Sequence, residues 1–390
     1  MESNSNNPFI IPQINQRNRR GERFKILAAS ALFVSIAFLL FFLYDMVRQG
    51  YPAFKQAYIK VEMPISQEAA ENPYGVLEKQ LSRLVSRAWL RDLPNQIRAN
   101  PEWMDKTHTF WALASAEVDQ YLKGHHHRLS DTQIEMVTHL KNEGKLEMKW
   151  NSIFFTTGDS KIPENSGLYS AVIGTILTML VTMAISVPIG VMTAIYLEEF
   201  APDNRVTQII EVNINNLAAI PSILFGLLGL AIFINFFGAP RSSPLVGGMT
   251  LALMSLPIII VSSKAALKAV PASIRQAGFA LGLTKWQIVK DHVLPLATPG
   301  ILTGSIISLA QAMGETAPLI IVGMIAFIPD APDSIFHAAT VMPAQIFTWS
   351  GMPERAYVER TAAGILVLLS VLLSLNAVAI YFRKKFERKW

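Results

Sequence analysis

Long apolar runs, all but one uncharged, recur along this chain, broken by short polar connections and by one extended polar region. The runs cover residues 26–44, 168–197, 212–240, 242–263, 293–329 and 361–382. Each reaches or exceeds the roughly 20 apolar residues needed to cross about 30 Å of hydrocarbon. The fifth run contains one charge, Glu315, and its Gly and Pro residues confine the expected span to 300–324. The pattern predicts six membrane spans. The first run has two readings, a cleaved signal peptide or an anchor. Its apolar core is long, and no small-x-small cleavage site precedes Asp45-Met46-Val47-Arg48, so an anchor is expected.

Composition agrees with this pattern. Hydrophobic residues make up 51% of the chain and charged residues 16%, against about a quarter charged in an average soluble domain. Residues 46–165 differ: they hold 15 Lys/Arg and 15 Asp/Glu, nearly half of all the charges. That region reads as a water-soluble domain set between the first and second spans. The chain has no cysteine, which excludes disulfides, thiolate metal sites and cysteine nucleophiles together.

The net charge is only +5, and its placement carries more information than its size. Arg17, Arg19, Arg20, Arg23 and Lys25 precede the first span. Lys264, Lys268, Arg275, Lys285 and Lys290 follow the fourth, and Arg383, Lys384, Lys385, Arg388 and Lys389 follow the last. Six spans put all three groups on one side, which Lys/Arg enrichment marks as cytoplasmic. The 198–211 connection must share that side although it carries Glu198, Glu199, Asp203 and Glu211 against Arg205 alone. The expected layout is a basic N-terminus (1–25), a first span (26–45), an outer domain (46–165), a five-helix core (166–382) containing a cytoplasmic loop (264–295), and a basic tail (383–390).

The outer domain reads as α+β. Leu77, Leu81, Leu84, Val85 and Ala88 recur at helical spacing, with Pro94 ending that helix or its extension. Ser130-Asp131-Thr132-Gln133 resembles a capping box opening a helix that runs to Gly144. Residues 146–155 read as a strand with Trp150, Ile153 and Phe155 as its bulk. Three consecutive histidines, His125–His127, cannot all face one ion on a regular element, so a solvated loop is expected rather than a metal site. No catalytic cluster, cofactor or metal site is expected anywhere in the chain.

The loop after the fourth span is more distinctive. It reads Arg275-Gln276-Ala277-Gly278-Phe279-Ala280-Leu281-Gly282-Leu283-Thr284-Lys285-Trp286, with Leu294-Pro295 further on. Ala277, Gly278 and Ala280 form a small-residue patch that lets another protein approach. Gly282 breaks the helix and turns the chain, since glycine enters left-handed geometry without strain. A second short segment, 285–292, ends at Leu294-Pro295. Patterning alone fits a helix–turn–helix bracket for a partner and an amphipathic linker on lipid headgroups equally well.

These residues resemble the "EAA" loop of ABC-importer permeases. Gln276-Ala277-Gly278 stands in the EAA place, Gly282 matches the glycine and Leu294-Pro295 the ending; Gln for Glu and Gly for Ala are departures. The resemblance narrows to the PstA-type membrane subunit of the bacterial phosphate importer. It rests on Pro299-Gly300-Ile301-Leu302-Thr303-Gly304, Gly314-Glu315-Thr316-Ala317-Pro318-Leu319, the 220–227 segment and the 342–349 segment. It covers about residues 165–390, and the outer domain resembles an extension found on some members. It implies a membrane all-α fold: six transmembrane helices of the type I ABC-importer permease, with an α+β periplasmic domain between helices 1 and 2. It also implies a bacterial inner-membrane location and partners: a PstC-type membrane subunit, two copies of an ATPase subunit and a periplasmic phosphate-binding protein. No nucleic-acid partner is expected.

Within the fifth run, Gly300, Gly304, Ser308, Gln311 and Glu315 share one helix face, small at one end and polar at the other. Pro318 interrupts the ladder beyond Glu315. An ionisable residue inside a span faces a pathway or a paired cation by default, and both readings stand. Ser308, Gln311, Glu315 and Thr316 are the candidate pathway residues. A charged Glu315 repels an anion, so its expected role is to orient a partner's cation. The resemblance leads one to expect an arginine where Gln311 stands, and Gln supplies hydrogen bonds without charge. Pro221, Ser222 and Gly226 read as a packed helix interface.

No G-x-x-x-x-G-K-[ST] segment occurs, so a nucleotide site is expected on another polypeptide and the chain reads as a non-catalytic permease subunit. A permease for sulfate or molybdate, a secondary carrier and a membrane sensor are the competing readings. The Gly-Glu-Thr-Ala-Pro-Leu run opposes the first. The lack of an internal repeat opposes the second, and the lack of a cytoplasmic signalling domain the third.

Overall fold

The computed structural model describes residues 12–67 and 73–386, so Arg388 and Lys389 of the basic tail lie outside the described residues. Helix α1, Pro12–Gly50, carries the first apolar run. Its side chains from Phe24 to Phe42 are exposed, as a lipid-facing helix requires. Residues 1–49 form one unit and residues 50–390 a second.

The second unit begins with strand β1, Lys55–Pro64, whose buried positions alternate through Ala57, Ile59, Val61 and Met63. Strands β2, Thr107–Leu113, and β3, Leu146–Trp150, pair with it antiparallel, in the order β2-β1-β3. Helix α2, Arg87–Ala99, starts at the Ser86 cap and buries Leu90, Leu93 and Ile97 against this sheet. The 77–88 periodicity is therefore not one helix. A single 3-10 turn forms at Leu81–Arg83, and the helix starts only at Arg87, where a capping residue exists. Pro94 lies inside it. Helix α3, Ala116–Leu122, follows β2. Helix α4, Asp131–Asn142, opens on the expected capping box of Ser130 and Gln133, and Gly144 turns the chain at φ +68°. The strand expected over 146–155 stops at Trp150, because Asn151 is drawn into side-chain bonds with Ala53 O and Phe154 N–H.

Among the described residues, five helices are long and apolar enough to cross a membrane, or six counting one bent pair. After α1 come α5, Tyr169–Phe200; α8, Pro244–Lys268; α10, Lys285–Gly314; and α13, Arg355–Phe386. The bent pair is α6, Arg205–Leu217, with α7, Ser222–Phe236, at 103°. The uncharged 212–240 run is thus not one straight span. Its first part belongs to an amphipathic helix, and Pro221 marks the break. Helix α9, Ala272–Ala280, α11, Ala317–Ile321, and α12, Met342–Ser350, complete the core.

Helix α8 is central. A Cβ at Gly190 of α5 would stand 2.7 Å from Ile259 Cγ2, and one at Gly229 of α7 would overlap Thr250. Where lipid supplies no hydrophobic drive, such small residues allow the close approach that holds helices together.

The sheet domain is joined to the start of α13 by buried charge. Lys123 Nζ lies 2.6 Å from Asp119 Oδ2 and 2.7 Å from Glu359 Oε1, and Gln120 donates to Glu359 at 2.6 Å. Arg360 donates to Ser166 O, and Trp349 Nε1 to Asp159 at 2.9 Å. Burial pushes the Asp119 carboxyl up from its ordinary range, although Lys123 and the Ala57 N–H pull it down. Removing one member of a buried pair costs about 3–5 kcal/mol because the other is left uncompensated. Lys123→Ala is therefore expected to lower the thermal midpoint of the purified full chain clearly, whereas Lys60→Ala, on an exposed pair, moves it little. Equal midpoints for the two variants would contradict the junction.

Candidate functional site

Two regions hold the candidate residues: the bracket after α8 and the break after α10. Helix α9 ends as expected at Gly282, at φ +78°, where Leu283 N–H bonds Gly278 O at 3.1 Å. Thr284 and Gln287 form a capping box that opens the next turn. Gly278 does not face outward. It is buried, and a Cβ there would stand 2.6 Å from Ile288 Cγ1, so it closes the two arms on each other. Gln276 and Ala277 are exposed, as are Phe279, Leu281 and Trp286. The tip of the bracket is thus an apolar, aromatic surface that no described residue covers.

Leu294 and Pro295 do not end the second arm. The helix runs on from Lys285 to Gly314, through a π-helical turn at Val289–Val293. Pro295 has no N–H to give and its ring crowds the preceding turn; the wider turn relieves both. The bracket is therefore a rigid continuation of a membrane helix.

Its other arm is tied down by Arg275. The guanidinium donates to Glu199 through Nε at 3.2 Å and Nη2 at 2.5 Å, and also to Leu267 O and Val270 O. Glu199 is buried. Lys264 similarly meets Glu211 at 2.5 Å and Glu198 at 4.0 Å. Glu198, Glu199 and Glu211 of the 198–211 connection, which ran against the basic trend of that side, are the partners of Lys264 and Arg275. Glu199 and Arg275 were not singled out as a pair by sequence; the excess of acids facing excess Lys/Arg was the available signal.

The polar face of α10 divides. A Cβ at Gly300 would stand 2.6 Å from Ala266 Cβ, and one at Gly304 would overlap Ser262. Ser308 is fully buried and donates to Ser255 O at 3.3 Å. These three pack on α8. Gln311 is exposed and Glu315 half-exposed. Glu315 is not inside a helix: α10 stops at Gly314, Glu315 is extended at φ −79° and ψ 118°, and Thr316 opens α11. Pro318 sits in the first turn of α11, where its missing N–H costs nothing. Gly226 of α7 packs here, so closely that a Cβ on it would stand 2.7 Å from Pro318 Cα, while Pro221 is exposed and Ser222 half-buried at the bend. Two interrupted helices therefore meet beside Glu315. Backbone opened at membrane depth is tolerated only against protein or a water-filled cavity.

A family model described as "Binding-protein-dependent transport system inner membrane component" matches residues 186–390. The chain belongs to this family, as a PstA-type permease. "Phosphate transport system permease protein PstA 1" of Mycobacterium tuberculosis (strain CDC 1551 / Oshkosh) is 32% identical over 57% of this chain and 73% of that protein. "Probable ABC transporter permease protein YqgI" of Bacillus subtilis (strain 168) is 28% identical over 57% of this chain and 81% of that one. An inward-facing structure of the MetNI methionine ABC transporter is similar with a TM-score of 0.44 and 18% identity, covering 57% of this chain and 95% of that chain. A second family model, described as "Domain of unknown function (DUF3333)", matches residues 12–76 and 71–132.

The packing of α10 makes a direct prediction. Gly304→Ala is expected to cost about 1–3 kcal/mol by overpacking against Ser262. Ser262→Gly in the same chain should recover part of it, as coupled neighbours do. Thermal midpoints of the four forms, purified in detergent, read the coupling; strictly additive shifts would refute the contact.

Proposed function

We propose that this chain is the PstA-type membrane subunit of an ATP-driven importer of inorganic phosphate. It forms half of a translocation pathway and couples to ATPase subunits carried on separate chains. The observation that carries this reading is the bracket: an exposed apolar tip of Phe279, Leu281 and Trp286, stiffened by Gly278 on Ile288 and anchored by Arg275 on Glu199. Such a surface suits docking of a partner, and its continuity with α10 gives a push on the tip a direct route to the break at Glu315. Phosphate as the transported ion is supported by the names of the relatives.

In this reading the chain is not itself an enzyme, and a PstC-type subunit supplies the other half of the pathway. Two ATPase copies close on ATP, and a periplasmic phosphate-binding protein delivers the anion. The N- and C-termini and the bracket are cytoplasmic, and the domain spanning 46–165 is periplasmic, in keeping with the Lys/Arg distribution. Gln311 and Glu315 face the pathway, Gln311 donating hydrogen bonds and Glu315 orienting a cation of the partner subunit; Thr316 lies at the same break. Ser308 supports this face from behind.

The test is labelled-phosphate uptake in cells lacking their own subunit. The intact chain should restore uptake that survives a protonophore while ATP persists. Gly282→Asp, which forces a side chain onto a φ of +78° and a charge into the docking surface, should abolish uptake without loss of membrane insertion. Gln311→Ala and Glu315→Ala should each reduce it by about tenfold or more. Normal uptake by both of these variants would remove the pathway assignment, and normal uptake by Gly282→Asp would remove the docking assignment.

A further inference from the structure

The sheet domain carries a cleft of about 700 Å³ that the transport reading does not use. Arg83, Arg87, Arg128, Lys161 and Arg355 line it, contributed by separate parts of the chain. All are exposed, and none makes an ion pair with a described residue. Three acids share the lining, and two of them are already engaged. Glu117 accepts the Arg128 backbone N–H at 2.6 Å. Glu164 is buried, held by Ser86 and the Ala116 N–H with Arg360 nearby, and burial pushes its carboxyl up. Glu354 is exposed and Glu117 half-exposed, so five cations face three acids and the cleft keeps an excess of positive charge. Ser115 adds a hydroxyl whose oxygen is buried without a hydrogen-bond partner among the described residues.

Cations in excess around one concavity repel each other, and an anion relieves that repulsion. Several guanidinium groups favour an oxyanion, because their planar fork of donors matches its oxygens in pairs. A volume of this order suits a small molecule. Leu90, Leu129 and Ile162 add apolar wall for a ligand larger than a bare ion. We propose that this cleft binds a soluble phosphate group, free or as a small monoester, at a site separate from the translocation pathway.

Two features set this site apart from the face at Gln311 and Glu315. Arg83, Arg87 and Arg128 fall in the region matched by the second family model, Arg355 in that of the permease model and Lys161 between the two, and none of them is on the α10 face. The cleft's cations also come from side chains exposed to water, so affinity must fall steeply as salt rises. A pathway site enclosed by membrane helices is screened less.

The test is equilibrium binding of labelled inorganic phosphate and of glycerol 3-phosphate to the purified full chain, in nanodiscs of phosphatidylcholine. At least one probe should bind, more weakly with added salt. Arg83→Ala/Arg128→Ala should weaken that binding by about tenfold or more, with Arg83→Lys/Arg128→Lys partly restoring it. Both positions are exposed, and an unchanged thermal midpoint checks that the fold survives. Lys60→Ala, a surface cation that does not line the cleft, should leave this binding intact; an equal loss there would make the signal a general effect of surface charge and overturn the inference. Binding of neither probe, or binding indifferent to Arg83 and Arg128, overturns it as well. Capture of an oligoglutamate peptide in preference to both probes would make the cleft a docking site for an acidic protein. Suppression in phosphatidylglycerol discs would make the ligand a lipid headgroup. Because uptake is not measured, failure here leaves the importer reading standing, and failure of uptake leaves this one standing.

Discussion

How closely backbones can approach helix Pro244–Lys268 determines the arrangement of the membrane core. Apolar side chains gain little by leaving lipid for protein, so attraction between spans rests on contact and on a few hydrogen bonds. Gly190, Gly229, Gly248, Gly300 and Gly304 supply that contact from the neighbouring helices or from the central helix itself. Thr182 and Ser308 add side-chain bonds to carbonyls across the seams. A methyl group added at any of these glycines would crowd the facing helix, meeting a hydroxyl oxygen first at Gly229 and Gly304.

That close packing permits the two interruptions elsewhere. A helix that stops within a bilayer leaves carbonyls without partners, and hydrocarbon cannot satisfy them. The bend near Pro221 and the stop at Gly314 lie on elements braced by the same central helix and by each other, through Gly226 and Pro318. The chain can therefore hold opened backbone and a carboxylate together at one place. The long continuous helix from Lys285 connects that place to the bracket, so the polar break and the apolar tip are ends of one stiff element.

Much of this was legible in the chain itself. Four of the six apolar runs fell on single membrane-length helices, while 212–240 proved bent and the span expected over 300–324 breaks after Gly314; the capping box at Ser130 opened a helix as read, and Gly282 took the left-handed turn. Three kinds of feature were hidden. Strand β1 alternates polar and apolar positions and β2 runs from polar to apolar, so neither stands out until pairing buries them. Pro295 reads as a terminator, and only the π-helical turn before it lets the helix continue. The polar face of the fifth run looked uniform because spacing alone cannot tell which side of a helix meets a neighbour; Ser308 is sealed against Ser255 while Gln311 stays open. Likewise, Lys123 and Glu359 are far apart in sequence and only the fold pairs them.

The junction between Lys123 and Glu359 also sets how deep the last helix sits. Arg355–Phe386 has 32 residues, about 48 Å at 1.5 Å per residue, well beyond the roughly 30 Å of hydrocarbon. Apolar length alone would let such a helix slide along its axis or tilt to several depths. Glu359 and Arg360, clasped one turn from its start, act as a stop that it cannot draw past without exposing buried charge to lipid. The sheet domain thereby works as a collar: it fixes the vertical register of the final span, and with it the level at which every residue along that helix meets the membrane.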